Sequence, residues 1–151
     1  MLKLDADTCR NRDVEDLIDE YVCLLDRRRG DAWLGLFTAD GYYVTVREVE
    51  LEQANNVLII GEDMKRLKGR IASGLERDTR RMVHTVSGVR ANANADATHA
   101  TASFTVWIDG KPTYCGVYLV DLAHVDGQLR IRRIQAVLQG DIVHTPIFLP
   151  I

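Results

Sequence analysis

The feature that most limits what this chain can fold into is a change of period near Arg81. Before it, apolar residues recur at three- and four-residue intervals; after it they alternate, and the stretches are cut by tight-turn residues. Four long β segments are expected there, at about 81–91, 97–108, 113–124 and 128–138. Their punctuation is the stretch 92–96, Asp109-Gly110-Lys111-Pro112 and Asp126-Gly127, all of it hairpin chemistry.

The first half reads as helix. Val14, Leu17, Ile18, Tyr21, Leu24, Leu25 and Arg28 form one stripe over 13–29, with Asn11 or Asp13 to cap it and Gly30 to end it. Asp31 is expected to cap a short second helix over 32–37. Asp40-Gly41 signals a turn before a strand at 42–48, whose hairpin partner is placed at 55–60. A third helix over about 62–72 carries Met64, Leu67, Lys68 and Ile71 at helical spacing. No linker or internal repeat interrupts this order, so residues 1–151 are expected to form one α+β domain. Each amphipathic helix needs a partner, and the sheet is the surface on offer.

Composition excludes several classes. With 151 residues, 46% apolar and 27% charged, the chain can bury roughly two thirds of its unfolded surface and is not globally disordered. No apolar run approaches the roughly 18 residues of a membrane span, and residues 1–7 carry acid where a signal peptide carries base. A net charge of -3 argues against nucleic acid as partner, and the clusters Arg10–Arg12, Arg27–Arg29 and Arg77–Arg81 read as solvated faces or partner contacts. Cys9, Cys23 and Cys115 are far apart, as are His84, His99, His124 and His144. Neither a disulfide framework nor a metal spacing exists, so a reducing cytoplasm and a chain without metal of its own are expected.

The order helix, helix, hairpin, helix, meander is the plan of the cone-shaped nuclear transport factor 2 fold. The segment 21–44, YVCLLDRRRGDAWLGLFTADGYYV, resembles the first helix and strand of that superfamily. Within it, the stretches EDMKRLKGRI (62–71), DTRRMVHTV (78–86) and IVHTPIFL (142–149) resemble the small (β) subunit of aromatic-ring-hydroxylating dioxygenases. The family's Pro-Ser before the arginine pair is Arg77-Asp78 here, and its following Asn is Thr85. The resemblance implies a non-catalytic subunit that supports a large subunit, which carries the Rieske cluster, the mononuclear iron and the substrate pocket. It also implies a homo-trimer or dimer through the sheet face. Phe104, Val106, Tyr114, Tyr118 and Leu119 are expected on that open face.

An alternative is a stand-alone lyase, cyclase or isomerase using the cone cavity on a small hydrophobic substrate. Steroid isomerases of this fold place a basic aspartate at a position that here falls at about Val46, which cannot take a proton. Dehydratases of the fold use a Tyr/Asp pair at the end of the first helix. Asp26 matches that acid, but Leu25 replaces the tyrosine, and Arg81 stands where a histidine belongs, three residues before His84. His84 is the best catalytic candidate, with Asp26 or Tyr21 to orient its ring; Tyr21, Tyr43 and Trp107 are candidate pocket-lining residues. The plainer reading, a structural histidine in the sheet and a structural acid at the helix end, is preferred from sequence. The uncharged segment 146–151, PIFLPI, must either fold back on its own core or dock into a neighbour.

Overall fold

The computed structural model describes residues 6–55, 57–75, 77–93, 97–140 and 146–151; His144 and the turn expected through 94–96 lie outside them, as do the side chain of Cys9 and most of the charged start of the chain. Helix α1 (Ala6–Asp26) begins earlier than its pattern suggests. No Gly or Pro breaks the stretch before Asn11 and Asp13, so both lie inside the helix rather than capping it. It also ends sooner. Arg28 takes a φ of 56°, which turns the chain, and Gly30 opens α2 (Gly30–Leu34), where Asp31 supplies charge in the first turn without capping.

Strand β1 (Phe37–Arg47) runs straight through Asp40-Gly41, the expected turn. The pair sits within an irregularity of pairing between Phe37 and Tyr42, so the chain bulges instead of reversing. A short helix, α3 (Glu48–Glu52), fills the expected loop. The hairpin partner, β2 (Ile60–Asp63), starts later than 55–60 and pairs from Thr45↔Ile60 to Tyr42↔Asp63. Helix α4 (Met64–Gly74) is capped by Asp63, whose carboxylate accepts from the Arg66 N–H at 2.9 Å.

The meander is as expected: β3 (Met82–Ala93), β4 (Thr98–Ile108), β5 (Lys111–Val125) and β6 (Gln128–Leu138). Ile108 pairs with Lys111 and Val125 with Gln128, leaving two-residue loops. Asp109, Gly110, Asp126 and Gly127 all have positive φ, 50–78°, the twist-matched hairpin turn. The six strands lie in the order β2-β1-β6-β5-β4-β3, with β1 parallel to β6 and the other pairs antiparallel. Register shifts in β3, β4 and β5 bend the long strands around the helices.

Which face each residue takes corrects the expected open surface. Phe104, Val106, Tyr114 and Tyr118 are buried in the main core under the helices, not on an outer face. Only Leu119 of that set faces outward, where it packs on Val44, Val46 and Val137. Adjacent residues of a strand take opposite faces, so Tyr118 and Leu119 could never share one. Val46 therefore has no access to the interior. The outer surface instead exposes Val83 (51%) and its cross-strand partner Trp107 (37%). Among the described residues no helix is long and apolar enough to cross a membrane.

Candidate active site

Asp26 is the last residue of α1, where the helix dipole disfavours a negative charge. Its position is offset by hydrogen bonds from β3. The His84 backbone N–H donates to Asp26 Oδ2 at 3.0 Å, and Oδ1 lies 2.6 Å from His84 Nδ1. A carboxylate only accepts, so Nδ1 is the donor to Asp26, and whenever the ring is neutral its lone pair lies on Nε2. The ring is 0% exposed and the Asp26 side chain 21%. Nε2 is buried and has no hydrogen-bond partner. The offset from Arg81 carries no penalty, because β3 begins at Met82 and Arg81 stands before it, bonded through its N–H to Asp109.

An aromatic cluster occupies the same interior, with Tyr118 close enough to feel the charge of Asp26. Tyr21 lies 5.4 Å from Trp33 and 5.6 Å from Tyr118, ring centre to ring centre, and Tyr118 stacks on Phe104 at 4.2 Å. Tyr21, Tyr43, Trp33 and Tyr118 are fully buried. Burial pushes the Tyr43 hydroxyl up to about 12, and raises Tyr21 and Tyr118 well above the ordinary tyrosine value. All three therefore stay neutral near pH 7. The Tyr118 hydroxyl and Trp33 Nε1 share the condition of His84 Nε2: buried, polar and unpartnered. Such atoms cost about 1–3 kcal/mol each unless a ligand or water meets them.

Of the residues singled out from sequence, Asp26 and His84 meet, and Tyr21 and Tyr43 line the interior. Trp107 does not: strand parity puts it outside, opposite Val83. His99 is 56% exposed and bonded to Asp121 at 2.6 Å, and His124 is exposed. Trp33 and Tyr118 were missed as site residues. Parity with Val120 and Leu122 was the available signal for Tyr118. Among the described residues no group of three or more His, Cys, Asp or Glu could hold a metal ion, and Cys23 and Cys115 are free.

A sequence profile of the SnoaL-like domain matches residues 7–135. No curated protein matches the sequence. Among solved structures, the chain is similar to a protein of Novosphingobium aromaticivorans provisionally described as the β subunit of an aromatic-ring-hydroxylating dioxygenase (TM-score 0.82, 18% identity, 95% of this chain and 100% of that one). It is similar to the β subunit of the benzoate 1,2-dioxygenase of Burkholderia mallei (TM-score 0.67, 18% identity, 96% and 100%). It is also similar to a provisionally described scytalone dehydratase of Novosphingobium aromaticivorans (TM-score 0.69, 17% identity, 85% and 83%). At these identities the likeness is one of fold, the α+β cone also called cystatin-like.

Proposed function

The chain belongs to the SnoaL-like domain family, and from that premise we propose that it is an acid–base enzyme of the lyase or isomerase class, acting on a small, largely apolar molecule inside the cone. One observation carries the reading: a buried histidine held through Nδ1 by Asp26, with Nε2 unpartnered on the inner side of the sheet. That is what a general base needs, a lone pair in a dry site and a fixed tautomer. His84 Nε2 takes a proton from substrate carbon, and Asp26 steadies the imidazolium that results. The proton then returns at another carbon, giving isomerisation, or a leaving group departs, giving elimination. Tyr118 and Trp33 are free to donate to a substrate oxygen as charge gathers on it. The reading asks for no metal or cofactor from this chain.

The test incubates small-molecule extracts with the protein in D2O and follows deuterium uptake and mass loss by mass spectrometry. A change made by the wild type and absent with His84→Gln is expected; no His84-dependent change overturns the reading. A second reading, the non-catalytic small subunit of a ring-hydroxylating dioxygenase, is favoured by the full-length overlay on two β subunits and by the exposed Val83–Trp107 pair. It calls for a homo-oligomer and for a Rieske-type large subunit that holds the cluster and the iron. Equal recovery of such a chain on native purification supports it; a partnerless protein removes it.

A further inference from the structure

Residues 146–151 fold back across the end of the core that holds Tyr21, Tyr43 and Tyr114. The Tyr21 hydroxyl donates to the Ile151 carbonyl at 3.0 Å, and the Ile151 N–H donates to the Tyr43 oxygen at 2.9 Å. Leu149 and Ile151 are 2% and 1% exposed. At the other end, Tyr114 donates to the Pro146 carbonyl at 3.4 Å, in the row where His84 pairs with Val106 and Val106 with Tyr114. Between them, Arg70 donates to the Phe148 carbonyl at 2.8 Å, and the Arg80 guanidinium lies 4.9 Å over the Phe148 ring. Phe148 itself is half exposed, so the segment is one layer thick.

With this segment in place, His84, Trp33 and the three buried tyrosines are sealed from solvent. A site that is closed on every side cannot exchange ligand without opening, and a segment outside every helix and strand, held by two buried side chains and a few polar contacts, opens at lower cost than the sheet or the helices. We propose that residues 146–151 are a displaceable strap, and that the Tyr21 and Tyr43 hydroxyls, now occupied by the backbone of Ile151, are the polar subsite of the incoming ligand. Tyr21 donates there, and Tyr43 accepts from the Ile151 N–H while its own hydroxyl reaches the Ile151 oxygen at 3.4 Å and Thr45 Oγ1 at 2.8 Å. The matching ligand is neutral and carries a carbonyl or hydroxyl oxygen beside a hydrogen-bond donor. Arg70, whose charge reaches Tyr43, is already paired with Glu62, which disfavours an anion.

The inference rests on the acid–base reading only for what happens after access, and its test reads access alone. The full chain is treated with diethyl pyrocarbonate, which acylates neutral imidazole nitrogen, and each histidine is followed by peptide mass spectrometry. Leu149→Ala removes the strap's buried anchor, which rests so close to Gly74 that a Cβ there would meet Leu149 Cδ2 at 2.6 Å. Arg70→Met removes the Phe148 contact at the surface and serves if Leu149→Ala folds poorly. Leu122→Ala, in the core but apart from the strap, is the control for general loosening. His84 acylation is expected to rise at least about tenfold in a strap variant relative to the control, with exposed His99 unchanged. Equal His84 rates in strap and control variants would show that access comes from breathing of the whole core, and would overturn the proposal.

Discussion

At the scale of single residues, Asp26 and His84 show how far side-chain chemistry was readable before any fold. Residue type and position single out both, while sequence alone favours a structural role for each. What tips the balance is parity: β3 starts at Met82, so His84 turns inward onto the end of α1. No spacing between residues 26 and 84 could give that. If the pair works as described, Asp26→Asn leaves the fold in place but no longer fixes the tautomer. Turnover is expected to fall about 10²–10⁴-fold for either Asp26→Asn or His84→Gln, measured on the substrate found by the D2O screen. Tyr43 makes a second, independent test. Its folded value of about 12 exceeds the ordinary 10.0, so the fold favours the protonated form. That contribution is complete below pH 10 and is lost between about pH 10 and 12, about 3 kcal/mol for this residue alone. Urea midpoints taken across that range should fall, and Tyr43→Phe should flatten the fall.

Elements were readable where local chemistry decides alone. The Asp-Gly pairs at 109–110 and 126–127 require positive φ and sit at the hairpin tips. The same pair at 40–41 makes a bulge instead of a turn, because pairing with β6 at Phe37 and again from Tyr42 onward carries the strand across it. The ends of α1 were missed for a similar reason: residues before Asn11 and Asp13 tolerate helix, and nothing local says where it must begin. Gly116 is the sharpest constraint within an element. A Cβ there would lie 1.9 Å from the Val137 carbonyl oxygen, and backbone cannot step aside as a side chain can. Gly116→Ala is expected to cost about 3 kcal/mol or more by forcing β5 and β6 apart, read as a lowered urea midpoint. Asp63→Ala, which removes only the α4 cap, should cost about 1 kcal/mol in the same measurement.

For the whole molecule, the change of period near Arg81 carried the architecture: helices first, then four strands wrapped around them. What periodicity does not reveal is which face of a curved sheet becomes the interior, and so Tyr118 was placed outside and Trp107 inside. The uncharged segment 146–151 needs cover, from its own core or a neighbour, and it packs on its own core. The outer Val83–Trp107 pair bears on assembly. Trp107→Ser is expected to leave the buried core and turnover within about twofold of wild type, as surface changes generally do. A loss of oligomer with that variant, read by light scattering, would place a subunit contact on this face.

Whether Asp26 leaves His84 with a bare, buried Nε2 is read by a long-range 1H–15N spectrum of the imidazole rings near neutral pH, with His84→Gln to assign the signal. The expected tautomer of the neutral ring carries its proton on Nδ1, slow to exchange with solvent, and its lone pair on Nε2. A proton found on Nε2 instead would contradict it, because a histidine donating from that atom could not serve as the base.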